Sequence, residues 1–111
     1  MRVLNQDGDS VEIREEDILY FSSYKNTISV QTAAGEFIYP ASLSDVLAAY
    51  GNSGFERLDR SNVVNLKNIT DYDKDLKVVR FGNLPAYATV SESNAPKIKR
   101  ILESRKQEGP T

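Results

Sequence analysis

The stretch FERLDRSNVVNLKNI, residues 55–69, alternates like a buried strand as far as Asp59. It then places three polar residues in a row, Arg60-Ser61-Asn62, before apolar character resumes at Val63-Val64. A turn at that point would ordinarily hold Gly or Pro, and neither is present. Two readings compete. One is a β-bulge or edge kink, for which polar residues suffice. The other is a segment projected from the sheet toward a partner, with Arg60 offering a rigid fork of donors suited to phosphate or to the O6/N7 edge of guanine. Composition alone leaves the two near even.

On either side of this stretch the pattern is mostly that of strands. RVLNQDGDSVEI at the start places Asp7-Gly8 between two short apolar runs, a strong hairpin signal. DILYFSSYKNTISVQT predicts a strand Ile18–Ser22, a polar tip Ser23–Asn26 and a strand Thr27–Thr32, with Ile28, Val30 and Thr32 on one face. A turn at Gly35 leads to a strand Phe37–Tyr39 that Pro40 stops. SLSDVLAAYG is the clearest helix. Ser42 and Asp45 resemble a capping box, Leu43, Val46, Leu47 and Tyr50 follow helical spacing, and Gly51 suits the C′ position.

Beyond the linker Asn52-Ser53-Gly54, strands are predicted at Phe55–Leu58, Val63–Val64, Leu76–Phe81 and Leu84–Thr89. Turns fall at Asp73–Asp75 and Gly82-Asn83, and Pro85 marks an edge. NAPKIKRILESRK reads as a closing helix capped by Ser93 or Asn94, with Ile98, Ile101 and Leu102 as its apolar stripe. Short connections between strands favour antiparallel pairing. The fold class expected is a β-rich α+β domain with one mid-chain and one C-terminal helix.

Composition narrows the chemistry. A chain of 111 residues is about one domain in size. It has no Cys, which excludes disulfides and thiolate chemistry, and no His, which excludes a Ser-His-Asp or Cys-His mechanism. No apolar run approaches the roughly 18 residues of a membrane span, so a cytoplasmic protein with no membrane partner is expected. The net charge of −2 is uneven. Residues 1–17 carry six acids against two bases, and the remainder twelve bases against ten acids.

Other motifs carry little. Asp71-Tyr72-Asp73-Lys74-Asp75 imitates a calcium loop, but the required Gly and Glu positions hold Leu76 and Gly82. Asn68-Ile69-Thr70 matches a glycosylation acceptor that matters only in a secreted chain. No pair among the sixteen acids is singled out for catalysis. Lys97, Lys99 and Arg100 on the last helix could contact phosphates, though a basic helix face is more often simply solvated.

FERLDRSNVVNLKNI resembles the signature of the LytTR-type DNA-binding domain through Phe55, Arg57, Leu58, Arg60, Ser61, Val63, Val64, Asn65, Leu66 and Ile69. DILYFSSYKNTISVQT, ASLSDVLAAY and YATVSESNAPKIKRIL are similar to that family's opening hairpin, Ser-Leu helix, and final strand, loop and helix. The resemblance covers about residues 12–102. It leaves 1–11 as an acidic N-terminal hairpin or linker edge and 103–111 as a flexible C-terminal tail.

What the resemblance implies is an elongated arrangement of short antiparallel sheets, the C-terminal module of bacterial response regulators of two-component systems. Such a module binds double-stranded DNA through strand-connecting loops in the major groove, at direct-repeat promoter sites. Self-association would then run through a domain not present here. No catalysis, cofactor or metal is implied. The segments expected to face DNA are the tip with Lys25 and Asn26, the segment Arg60-Ser61-Asn62, and the loop Ser91-Glu92-Ser93. Lys67 and Lys97 would be auxiliary phosphate contacts, and Asn65 a structural residue satisfying local backbone groups.

Two residues depart from the family pattern. Asp59 stands where His is usual, and Glu92 where Arg is often found. Each places a carboxylate near DNA, repulsive to phosphates yet able to accept from cytosine N4. The alternative is a LytTR-fold protein-interaction module that has lost DNA binding. A continuous basic strip joining Lys25, Arg60 and Lys97 would speak for the DNA reader.

Overall fold

Val63 and Val64 are neighbours in sequence and both are fully buried. Successive strand residues point to opposite faces, so this requires apolar cover on both sides of the strand. The computed structural model, which describes residues 1–107, supplies that cover. The chain runs β1 (Arg2–Leu4), β2 (Ser10–Glu12), β3 (Ile18–Tyr24), β4 (Thr27–Thr32) and β5 (Gly35–Tyr39), then helix α1 (Leu43–Tyr50). It continues through β6 (Phe55–Asp59), β7 (Asn62–Asn65), β8 (Asp71–Asp73), β9 (Val78–Arg80) and β10 (Tyr87–Thr89) to helix α2 (Ala95–Gln107). Seven strands form one sheet in the order β2-β1-β5-β4-β3-β7-β6, and three form a second in the order β10-β9-β8. All their pairings are antiparallel. The described chain is elongated, 44 × 30 × 26 Å, and the β-rich α+β class is as expected.

The long sheet is a filling between two cores. On one face Phe21, Ile28, Val30, Phe55 and Val63 pack under Leu43 and Val46 of α1. On the other, Leu19, Leu58 and Val64 meet Val79, Phe81 and Ala88 of the small sheet region and Ile98 of α2. Burying each such side chain contributes about 1.5–3 kcal/mol, so the two faces jointly fix the strand register. A register shift between Ile18 and Tyr20 lets Ile18 and Phe21, three residues apart, share the α1 face.

Local signals account for most boundaries. The β1–β2 hairpin closes at Gly8 (φ 85°), and Asn5 Oδ1 accepts from the amides of Asp7 and Asp9. This hairpin joins the long sheet through Leu4 opposite Ile38, and Val3 is buried in the core. Both halves of the Ser42/Asp45 capping box are present, and the amide and hydroxyl of Ser42 hold the Asp45 carboxyl below its usual pKa.

Several expectations need correction. Gly51 is right-handed and continues into a 3-10 turn; the left-handed glycine is Gly54 (φ 90°), where the chain swings into β6. Leu47 lies largely on the solvent side of α1. The strand predicted from Leu76 starts at Val78, because Leu76 is exposed in the turn and Lys77 takes a left-handed backbone. Asp71–Asp73, part of the acidic string that imitates a calcium loop, is the edge strand β8. Neither proposed cap closes α2 by accepting from it: Asn94 donates to Leu58 O and Ser91 Oγ, and Ser93 pairs with Ser91. The helix extends beyond residue 103, where a tail was expected, and residues 108–111 lie outside the described residues.

Candidate nucleic-acid interface

The β3–β4 hairpin ends in a two-residue turn, Lys25-Asn26, between the paired residues Tyr24 and Thr27. Both turn residues have positive φ, 48° and 64°, the conformation whose twist matches antiparallel strands. Asn tolerates it well and Lys less so. The strand therefore runs two residues further than the predicted Ser22, and the tip is narrower than Ser23–Asn26. Lys25 is exposed, and its ammonium stands 5.4 Å from the centre of the exposed Tyr24 ring.

The polar break at Arg60-Ser61-Asn62 is a hairpin turn and a bulge at once. Glu56 faces Val64 and Asp59 faces Asn62, three steps along β6 against two along β7, so β6 carries one extra residue. An extra residue strands backbone donors. Asn62 Oδ1 accepts from both Leu58 N (3.3 Å) and Asp59 N (3.0 Å), while its Nδ2 donates to Thr89 O (2.8 Å). No Gly or Pro is needed because this side chain does the closing. Asn62 is 3% exposed, so it does not face outward with Arg60 as expected. Its amide is held by the backbone groups around it. Arg60 is exposed and Ser61 partly so, at the apex.

The third segment, Ser91–Asn94, lies against the same turn. Ser91 N and Asn94 Nδ2 both donate to Leu58 O. Ser91 is partly exposed, and Glu92 and Ser93 are exposed. Both acidic departures have partners inside the protein. Asp59 Oδ1 accepts from Arg60 N, and its Oδ2 accepts from Thr89 Oγ1 at 2.7 Å, tying β6 to β10. Glu92 accepts from Lys77 Nζ at 2.6 Å. That bond and charge hold the Glu92 carboxyl below its usual pKa and raise Lys77.

Strand pairing brings these segments to one end of the long sheet. Ser22 sits opposite Asn62, and Ser23 N donates to Ser61 O at 2.9 Å. Lys25, Asn26, Arg57 and Arg60 line one open groove whose other wall is Tyr39–Ser44, running into the start of α1. None of these three cations is within ion-pair distance of a carboxylate among the described residues. Arg57 was absent from the expected contacts. Its signal was period two: Phe55 and Arg57 share a strand face, and Phe55 is buried beneath α1.

Two expected phosphate contacts are elsewhere. Lys67 follows β7 at the end away from Arg60, its stem packed over Gly54 near Glu15 and Glu16. Lys97 is half-buried and paired with Glu56 at 2.7 Å. The basic strip therefore joins Lys25 to Arg60 through Arg57 and does not reach Lys97 as a free charge. Asn65 is structural as expected: its Nδ2 donates to Ile18 O and its Oδ1 accepts from Lys67 N. Among the described residues there is no His, Cys, Asp or Glu cluster that could hold a metal, and no helix long and apolar enough to cross a membrane.

The sequence profile of the LytTr DNA-binding domain matches residues 9–103. A search of curated protein sequences finds no match. Among solved structures, the chain is similar to one described as the LytTr DNA-binding domain of a methyl-accepting/DNA response regulator from Bacillus cereus. The two superpose with a TM-score of 0.75 at 20% identity, over 92% of this chain and 94% of that one.

Proposed function

The chain belongs to the LytTR family of DNA-binding domains, and on that footing we propose that it reads double-stranded DNA in a sequence-specific manner, as the output module of a bacterial, cytoplasmic transcriptional regulator. The observation that carries this reading is the gathering of Lys25, Arg57 and Arg60 in one groove at the hairpin end of the long sheet. Free cations on two adjacent turns and on the strand beside them are what a phosphate backbone attracts, and counterion release then drives binding.

In this reading the two turns enter the major groove. Arg60 makes the base contact, since its fork fits guanine O6/N7, and Asn26 is the adjacent reader. Lys25 and Arg57 hold the flanking phosphates, fixing register without reading sequence. Ser91 and Ser93 contribute hydroxyl contacts from the third segment. A direct-repeat promoter site suits an asymmetric, elongated reader that needs no twofold interface of its own, and assembly would be left to another domain.

Selection from a randomised duplex library, followed by fluorescence anisotropy at several salt concentrations, tests the proposal. Enrichment of a defined site, with a log–log salt slope of about −3 for three neutralised phosphates, is the expected result. A folded domain that enriches nothing at low salt would overturn it. That outcome would favour the protein-interaction module, for which the internal pairing of Lys97 with Glu56 speaks.

A further inference from the structure

Lys77 is built into its place with unusual care for an exposed lysine. It closes the β8–β9 turn in a left-handed backbone conformation (φ 58°) that glycine would occupy with less strain. Its main chain is held on both sides: Lys77 N donates to Asp73 O at 2.7 Å, and Lys77 O accepts from Val90 N at 2.9 Å. The second of these bonds docks the turn against the start of the Ser91–Asn94 segment. From that fixed base the side chain reaches across fifteen residues of sequence to Glu92 Oε1 at 2.6 Å.

Such a pair contributes little to stability. Lys77 and Glu92 side chains are 51% and 83% exposed, and pairs of that exposure are weak in water and screened by salt. What the pair does change is the charge presented by the third segment. Glu92 is the only carboxylate between Asp75 and Glu103, and it stands where a DNA phosphate would meet an uncompensated negative charge.

We propose that Lys77 is a positioning residue of the DNA interface, which neutralises Glu92 and holds it aside so that the Ser91–Ser93 segment can approach the phosphate backbone. This rests on the DNA-binding reading above. Lys77 acts through Glu92 and makes no contact with DNA of its own, which separates it from Lys25, Arg57 and Arg60.

The test is a double-mutant cycle on the selected duplex, with Lys77→Met, Glu92→Gln and the double variant measured by anisotropy at low and high salt. Methionine keeps the apolar stem and the same backbone strain while removing the charge. Lys77→Met is expected to weaken binding about fivefold at low salt, an effect that fades as salt screens the exposed charge. Glu92→Gln is expected to bind as tightly as the parent or tighter, and the double variant to bind within about twofold of Glu92→Gln.

Loss in Lys77→Met that the second substitution does not restore would make Lys77 a direct phosphate contact and overturn the assignment. So would weakened binding by Glu92→Gln, which would make the carboxylate a base reader accepting from cytosine N4. In either case a parent that binds its site keeps the DNA-binding reading intact, whereas a folded parent that binds no duplex removes both. Thermal unfolding of the four proteins within a few degrees of one another excludes a folding origin for any difference.

Discussion

The two ends of the long sheet carry similar polar residues and put them to opposite uses. At the hairpin end, Lys25, Arg57 and Arg60 point into an open groove without carboxylate partners among the described residues. At the other end several polar side chains turn inward. Asn65 and Asn68 both donate to Ile18 O, and Arg105 of α2 donates to the carbonyls of Leu66 and Ile69. The lesson is that charge and polarity do not by themselves mark an interface. What separates the ends is whether the backbone nearby still needs donors. Where β7 breaks into a 3-10 turn the carbonyls are orphaned and recruit side chains; where the β3–β4 hairpin closes its own ladder the side chains are left free.

Asn62 breaks this comparison most severely, because it sits at the open end and behaves like the anchoring end. Replacing it with Ala leaves the Leu58 and Asp59 amides and the Thr89 carbonyl without their partner. We expect Asn62→Ala to lose about 2–3 kcal/mol in denaturant unfolding. Asn62→Asp, which keeps the acceptor but buries a carboxylate against Thr89 O, should lose at least as much at pH 7. An Asn62→Ala domain of unchanged stability would mean that the bulge does not depend on this side chain.

Arg60→Ala and Arg57→Ala sharpen the contrast from the open end. Each should leave unfolding within about 0.5 kcal/mol of the parent, as surface substitutions usually do. Arg60→Ala should weaken the selected duplex by about 1–3 kcal/mol and relax preference at one base pair. Arg57→Ala should weaken all duplexes alike and reduce the salt slope by about one. Asn26→Ala comes next. It places a Cβ-bearing residue with no local hydrogen-bonding side chain at φ 64°, and should cost about 1 kcal/mol of stability, whereas Asn26→Gly should not.

A smaller effect is expected in acid. The Leu76 amide, with help from Arg80 and the Asp75 amide, outweighs desolvation and holds the Asp73 carboxyl below its usual pKa. A depressed folded-state pKa means that its stabilisation is present above the unfolded value and is lost as pH falls through the folded one. Asp73→Asn should therefore unfold at a lower temperature than the parent at pH 7, with the gap closing as the pH is taken below the ordinary carboxylate range. Lys67→Ala is the null control. It removes a positive charge from the anchoring end and should leave the affinity for the selected duplex within about twofold.

Much of this was legible in the chain because it depends on short-range rules. Period-two alternation located β3, β4 and β6, Asp7-Gly8 the first hairpin, and Ser42 with Asp45 the start of α1. The strand Asp71–Asp73 was not legible, since three residues with no Asp-Gly hairpin signal beside them carry too little alternation and pair only because Val78–Arg80 comes alongside. At the candidate interface, Lys25 and Arg60 could be read from the residues and their resemblance. The inward turn of Asn62, the pairing of Lys97 with Glu56 and the placing of Lys67 at the far end could not. In each, the partner lies on another element, in Lys97's case forty-one residues away.

By itself, then, the sequence determined which segments alternate, where they turn and which side chains carry charge, because those properties depend on a residue and its near neighbours. Tertiary structure alone decided which of those charges remain free. An ion pair or a buried amide needs two groups from distant segments within about 3 Å, and only packing of α2 and the small sheet against the long one brings them there. Arg60, Asn62 and Lys97 are all ordinary polar residues in the chain. The fold leaves the first exposed, buries the second and neutralises the third.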